Sequence, residues 1–282
     1  MPAKRPVSKA PKRSAPRARV PEREAVRERL RGHLVRLGLK ELDARLDAYL
    51  DTAAKKRPSY LQLFEQVLGD AAGRLRERRI ERRIVGCGVK VRKTLAAFDW
   101  DFQPKLDRAL VEDLATLRFV ERGEDIILTG KSGTGKSHVL QALVLKACVQ
   151  ELQVRYTRCA DLLDDLHAGL ADGTYERRLK RWCRPVLLVI DDVGLGQVKK
   201  REGEPTAAHT LYNLLDRRHA RVSTAVTSNI KLSAWGKYLG DATLAAAILD
   251  RLVMNATRID IDGPSYRQHV ARRRSKGTRS TD

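Results

Sequence analysis

From Pro21 the apolar positions recur at helical spacing, and from Glu124 onward short unbroken apolar runs alternate with helical stripes. Leu30, Leu34 and Leu37 make one stripe, Gly38 interrupts it, and Leu39, Leu42, Leu46 and Leu50 resume it at steps of three and four. Such steps place side chains on one face of a helix. Pro58-Ser59 then stops that helix and opens another carrying Leu61, Phe64, Val67 and Leu68. Residues 98–123 read as a connector: Phe98, Trp100 and Phe102 alternate with Asp99 and Asp101 before a stripe of Leu106, Leu110, Leu114 and Leu117. Beyond it, 125–129, 152–156, 186–190, 222–228 and 257–261 read as strands, with helical patterns at 136–150, 159–183, 206–221 and 241–255. The alternation predicts an α/β fold, a five-stranded parallel sheet with helices on both faces, preceded by a small all-helical domain. The boundaries follow: a basic arm 1–20 without structure, a helical N-terminal domain 21–97, a linker 98–123, an α/β domain 124–270 and a basic tail 271–282.

Charge narrows the choice of partner. The 282 residues carry a formal net charge of +21, which favours a polyanion, either nucleic acid or a membrane surface. No apolar run approaches the roughly 20 residues of a membrane span, so a membrane partner is not expected. The N-terminal charges have no apolar segment behind them, unlike a secretory signal. Cys87, Cys148, Cys159 and Cys183 are scattered without metal-ligand spacing, so they are expected as inert thiols in the reducing cytoplasm. Lys4, Arg5, Lys9, Lys12, Arg13, Arg17 and Arg19 crowd the arm, and Arg74 to Lys93 is the densest basic stretch. Only Glu77 and Glu81 offset that stretch. Arg78, Arg79, Arg82 and Arg83 are therefore expected to face phosphate, although a run of charge can also be a solvated face.

The chemistry begins after the first predicted strand. Gly130-Lys131-Ser132-Gly133-Thr134-Gly135-Lys136-Ser137 fits G-x-x-x-x-G-K-[S/T], with a strand before it and a helical pattern after it. The glycines let successive N–H groups turn inward as an anion nest, and the following helix adds its positive end. Lys136 can reach β- and γ-phosphates, and the Ser137 hydroxyl can ligate Mg²⁺. The sequence therefore predicts nucleoside triphosphate binding. Val186-Leu-Leu-Val-Ile190 reads as a strand buried on both faces, and Asp191-Asp192 follow at its C-terminal end. Carboxylates there are costly unless a cation or water shares the crevice. Asp191 is expected to hold the metal and Asp192 to orient or deprotonate the attacking water; the plainer alternative is a pair capping the turn toward Gly194. The aromatics at 98–102 suit either a nucleotide base or packing between domains.

Two further positions complete the reading. Val222-Ser-Thr-Ala-Val-Thr-Ser-Asn229 delivers polar groups to the strand end, where Asn229 can place the lytic water, though Thr-Ser-Asn is also a turn signal. Arg251 lies on an Ala/Leu-rich helix, where it serves either as an arginine finger for a neighbouring subunit or as the partner of a nearby acid.

Five separate blocks occur in one order: Gly130 to His138, Leu-Leu-Val-Ile-Asp-Asp-Val-Gly194, Ser-Thr-Ala-Val-Thr-Ser-Asn229 with Trp235, Ala-Ile-Leu-Asp-Arg-Leu252, and Gly263-Pro-Ser-Tyr-Arg267. In this order they resemble the IstB transposition-helper ATPases, AAA+ proteins close to the DnaC helicase loaders, over about residues 25–270. The resemblance implies an AAA+ P-loop core, ATP and Mg²⁺ as ligands, self-assembly on double-stranded DNA, and delivery of that DNA to a cognate transposase. It further implies that residues 130–138, His138 included, hold ATP with Arg267 as a second-sensor-like arginine. Ser137 and Asp191 would serve the metal, Asp192 the water, Asn229 as first sensor and Arg251 as the trans finger. Three positions depart from the pattern: Ser137 for the usual Thr, His219 for a common Tyr after Arg218, and Asp192 where many AAA+ proteins have Glu. A helicase loader is the alternative, but its docking domain has no need of the basic arm and helix. A metabolite kinase has no use for the charge excess.

Overall fold

The computed structural model describes residues 20–195 and 206–277; the arm before Val20 and the tail beyond Gly277 lie outside the described residues. Tertiary contacts separate two compact units. The first contains α1 (Val20–Arg36), α2 (Lys40–Lys56) and the opening of α3 (Tyr60–Gly86), and the boundary falls inside α3 between Glu77 and Arg78.

In the first unit, Gly38 takes φ +71° in the turn between α1 and α2, a left-handed conformation that glycine adopts without penalty. Leu34, Leu42 and Leu46 are buried, with Leu39, Leu50, Val67 and Ala71 packed around them. Ser59 and Gln62 form a reciprocal cap: the Ser59 N–H donates to Gln62 Oε1 (2.9 Å) and the Gln62 N–H to Ser59 Oγ (3.3 Å). Tyr49 OH donates to Asp70 at 2.7 Å, tying α2 to α3. The stripe expected on α3 is turned: Val67 and Ala71 face the core while Leu61, Phe64 and Leu68 are exposed. Apolar residues occupy two adjacent faces of that helix, and spacing alone does not choose between them.

The second unit is the predicted α/β layer structure. Its strands are β1 (Asp125–Gly130), β2 (Val154–Arg158), β3 (Leu187–Val193), β4 (Ser223–Ser228) and β5 (Ala256–Ile261), all parallel in the order β2-β3-β4-β1-β5. Alternate residues enter opposite cores. Ile126, Leu128, Leu187 and Val189 pack on one face with α4 (Arg108–Leu114), α5 (Arg118–Glu121) and α6 (Lys136–Val149). Ile127, Leu188, Ile190 and Val226 pack on the other with α7 (Cys159–Ala171), α8 (Tyr175–Cys183), α9 (Ala207–Arg218), α10 (Trp235–Leu239) and α11 (Ala242–Met254). The last described helix is α12 (Tyr266–Gly277).

Three details differ from the sequence reading. The 159–183 pattern is two helices, because Gly173 sits at φ +69° and Asp172 Oδ1 accepts the Thr174 N–H at 3.0 Å, closing a local turn. β2 begins two residues late, since Glu151 takes φ +60° and the Leu152 N–H still donates to Ala147 O at 3.0 Å. The segment expected as a linker is core: Val111, Leu114, Leu117 and Phe119 are buried against the sheet. Residues 78–97 belong to this unit as well. The Tyr156 N–H donates to Cys87 O at 2.6 Å along the edge strand β2, and Cys87 is buried. An uncovered edge would leave such donors unpaired.

Asp125 opens β1 almost fully buried, its Oδ1 accepting the Thr224 N–H at 2.6 Å. Burial raises its carboxyl pKa to about 6, against the opposing pull of that N–H and of Arg218. The folded chain therefore holds this proton more tightly than the unfolded chain, so ionising Asp125 costs native stability. Stability is expected to fall as pH rises from the ordinary carboxylate range to about 6, by up to about 3 kcal/mol from this group. Denaturant titrations across that window should show a flatter profile for Asp125→Asn; parallel profiles would refute the assignment.

Candidate active site

The nucleotide loop is shaped by close approach as much as by flexibility. Gly133 has φ +86° and a Cβ there would collide with Ser265; Gly135 has φ +102° and its Cβ would lie 2.7 Å from Phe98 Cε2. Any side chain at these positions would be both strained and blocked. The Gly133 carbonyl accepts the Tyr266 N–H at 3.0 Å, which fastens the loop to the segment Gly263–Arg267. Thr134 is buried and its hydroxyl donates to Lys131 O at 2.9 Å, while Lys131 and Ser132 are exposed.

Lys136 is 3% exposed, and its ammonium donates to the carbonyls of Gly130 (2.7 Å) and Lys131 (2.8 Å). Burial lowers its pKa, the charges of Asp192 and Asp191 oppose that shift, and Arg267 adds to it. The lysine is thus poised between the loop, two carboxylates and a second cation. Ser137 Oγ donates to Asp191 Oδ1 at 3.0 Å. Thr227 Oγ1 and Tyr156 OH donate to the same carboxylate, and Gln141 Nε2 donates to Tyr156 OH at 2.9 Å. Asp191 is 2% exposed, so three hydroxyl donors satisfy its oxygens where water cannot.

β3 runs past the predicted end at Ile190, and its register with β4 shifts between Ile190 and Val193. Within the shift Asp192 adopts φ +62°, a conformation uncommon for non-glycine residues, and its N–H leaves the ladder to donate to Thr227 Oγ1 at 2.8 Å. A bulge of this kind re-aims a side chain. Here the Asp192 carboxylate meets Asn229, whose Nδ2 donates to Oδ1 at 3.0 Å.

The pocket beside the loop is lined by Gly135, Lys136, Ser137, Asp192, Asn229 and Arg267, with Phe98, Phe102 and Tyr266 as its aromatic wall. His138 also lines it, while its Nε2 meets Thr94 O at 2.8 Å and its ring sits edge-on to Phe98 with centroids 5.1 Å apart. Asp191, Asp192, Asn229, Arg267 and the loop are thus brought together from distant parts of the chain. Arg251 is elsewhere: its Nε donates to Asp216 Oδ1 (2.8 Å), one NH2 to Tyr212 OH (2.7 Å), and its guanidinium lies 4.6 Å from the Tyr212 ring centroid. Among the expected phosphate contacts, Arg79 pairs with Glu151 at 3.7 Å, Arg83 donates to Leu152 O at 3.4 Å, and Arg82 donates to Arg78 O at 3.4 Å.

Sequence reasoning missed Tyr156, Thr227, Gln141 and Gln103. Thr227 stood within the noted Thr-Ser-Asn cluster, and its place directly before the strand end was the available signal. Tyr156 carried none. Gln103 is 3% exposed and donates to Pro264 O at 2.9 Å, tying the aromatic wall to the Gly263 segment.

The donors and the cradle fit a nucleoside triphosphate. The loop leaves no room for side chains at Gly133 and Gly135, and Ser137 faces a lone buried carboxylate. Among the described residues no group of three or more His, Cys, Asp or Glu gathers; Mg²⁺ bound by one carboxylate, one hydroxyl, phosphate oxygens and water needs no such group.

Comparison with known proteins agrees. The family described as IstB-like ATP binding protein matches residues 32–275. A Pseudomonas aeruginosa protein named as an ATP-binding protein of insertion sequence IS21 is 34% identical over 248 residues, covering 88% of this chain and 92% of its own. A Mycobacterium tuberculosis insertion-sequence ATP-binding protein, Rv3427c, is 32% identical over 84% of this chain and 93% of its own. Among solved structures, DnaI overlays on 62% of this chain and 90% of its own with a TM-score of 0.47 at 22% identity. The assignment rests on the sequence relatives and on the loop, strand order and carboxylates described above. The chain belongs to the IstB-like ATP-binding proteins, with the AAA+ P-loop fold and ATPase machinery of that family.

Proposed function

We propose that the protein is a Mg²⁺-dependent ATPase of a mobile element that assembles as a homo-oligomer on double-stranded DNA and delivers that DNA to a cognate transposase, in the cytoplasm. The observation that carries this reading is that its full-length relatives are named for insertion sequences. The +21 charge supports a nucleic-acid partner, and no helix among the described residues is long and apolar enough to cross a membrane. The helicase-loader alternative draws no comparable support from those names.

In this reading, Lys136 and the N–H groups of the loop bind the β- and γ-phosphates, and Arg267 adds a second positive charge from the pocket wall. Mg²⁺ held by Ser137 and Asp191 would neutralise charge on the phosphate oxygens. Asp192 and Asn229 orient the attacking water, Asp192 taking its proton. Asp192→Asn is therefore expected to bind ATP normally and to hydrolyse it about a hundredfold more slowly. Steady-state turnover beside a nucleotide-binding titration checks this, and unchanged turnover would move the base elsewhere.

Arg251 is the group proposed to reach a neighbour's γ-phosphate. Its contacts with Asp216 and Tyr212 would hold the guanidinium oriented until a neighbour docks. Arg251→Ala should bind ATP but lose turnover, and mixing it with Lys136→Ala should restore part of the activity at interfaces joining an intact pocket to an intact finger. Co-assembly without recovery would make Arg251 a structural ion-pair partner. Arg78, Arg79, Arg82 and Arg83, with the basic arm, are the proposed phosphate contacts.

Electron microscopy of the protein with ATP and duplex DNA tests the whole reading. Ordered multimers on DNA that require ATP, and that recruit the transposase of the same element, are the expected outcome; monomers on bare DNA would overturn it.

A further inference from the structure

At the end of the sheet opposite the nucleotide loop, where β2 and β3 begin, a second cleft opens. It is lined by Arg83 from α3, Arg155 from β2, and Arg181 and Arg184 from the end of α8, with no carboxylate in its lining among the described residues. Trp182 is the platform for this cluster. The Arg155 guanidinium stacks 4.2 Å from the indole centroid, and Arg181 approaches the same ring at 5.9 Å. Two acids serve the neighbourhood: Glu151 pairs with Arg79 at 3.7 Å, and Asp165 accepts from Arg181 at 2.8 Å, from Arg178 at 2.7 Å and from Trp182 Nε1 at 2.7 Å. With those donors Asp165 has little acceptor capacity left. Arg155 and Arg184 form no ion pair with any carboxylate among the described residues.

This arrangement is unfavourable without an anion. Arg155 is half-buried, beside the like charge of Arg181, and both effects act against its protonated state, with the charge of Asp165 opposing them. Guanidinium stacked on an aromatic face keeps its N–H edge available and fixed in direction. An oxyanion entering the cleft would relieve the repulsion and meet donors already oriented, at small cost in side-chain entropy.

We propose that this cleft is a phosphodiester-binding site, holding backbone phosphates of duplex DNA. The inference rests on the DNA-binding reading above and adds a surface to it. Arg83 shares α3 with Arg79 and Arg82, so the cleft continues a line of guanidiniums, which suits a ligand whose charges repeat. None of Arg155, Arg181 and Arg184 stands out in sequence, because they come from a strand and a helix end 26 or more residues apart.

The test uses the full chain with ATP and a fluorescent random-sequence duplex, with anisotropy measured across a KCl series. The variants are Arg155→Gln/Arg184→Gln and, because Arg184 is exposed and has no ion-pair partner among the described residues, Arg184→Gln alone. The log–log salt slope should become shallower by about 0.9 for each phosphate that is no longer neutralised, hence by about twice that for the double variant, with DNA-free ATP turnover unchanged. An unchanged slope, with wild-type protein binding duplex normally, overturns the cleft and leaves the DNA reading standing. Failure of the wild type to bind duplex at all overturns both. Inorganic phosphate raising the melting temperature of the wild type but not of the variants, with the DNA slope unchanged, would make this a free-phosphate site and overturn the proposal. Competition by polyglutamate that the variants lose, again with an unchanged DNA slope, would assign the cleft to an acidic protein instead.

Discussion

Lys136→Ala will reduce ATP turnover by about a thousandfold or more, the scale on which removing a single preorganised charge stabiliser acts. The side chain is buried, so its ammonium exerts its charge where solvent screening is weak. It already rests on the carbonyls of Gly130 and Lys131, so delivering it to phosphate needs only a short swing of a side chain anchored at the start of α6. Alanine removes the charge and leaves those carbonyls without their donor, so nucleotide binding should weaken along with turnover. Phosphate release and a nucleotide titration on the purified variant check both effects. Wild-type turnover would refute the assignment of this loop. Melting temperature serves as the control for folding, since a variant that loses activity while keeping its stability has lost chemistry alone.

Arg218→Met will cost about 4 kcal/mol of stability, within the range for breaking a buried charged network. Arg218 is 1% exposed at the end of α9. Its guanidinium donates to Pro185 O (2.9 Å), Cys183 O (3.1 Å), Trp182 O (3.2 Å), Ser223 O (2.5 Å) and Thr224 Oγ1 (3.0 Å). It thereby joins the end of α8, the entry to β3 and the start of β4. Burial lowers its pKa to about 10, with Cys183 and Asp125 opposing, so it remains charged at neutral pH. Methionine keeps the apolar stem and removes every donor, stranding carbonyls away from water. Chemical denaturation of wild type and variant measures the difference. A loss under about 1 kcal/mol would mean that water enters and satisfies those groups.

The outline of the nucleotide site was legible because its chemistry is local. A phosphate loop needs glycines, a lysine and a hydroxyl within eight residues, between a strand and a helix, and all of that is written consecutively from Gly130 to Ser137. The Asp191-Asp192 pair and Asn229 were legible for a related reason: polar residues that end unbroken apolar runs are placed at the strand ends of a parallel sheet. Arg251 was placed on a helix, but both of its readings stayed open, and the pairing with Asp216 and Tyr212 could not be read from spacing.

Other features came from packing. Residues 98–123 resemble a connector because their helices are short, yet one face of the sheet requires a cover and they supply it. The boundary inside α3 follows from Cys87 pairing with Tyr156 on the edge of β2, a partner far along the chain. Val67 and Ala71, and not Leu61 and Phe64, face the first core because a helix with two apolar faces is oriented by its neighbours.

By itself the sequence determined the α/β class, the strand sequence, the phosphate loop and the two carboxylates, since each depends on residues close together or on a repeating period. Only the tertiary structure decided how Asp191 is held by Tyr156, Thr227 and Ser137, how Asp192 is turned toward Asn229, and how four arginines come to share one cleft. Those arrangements depend on strand order and register, which are set by the whole core burying its surface at once and not by any local run of residues.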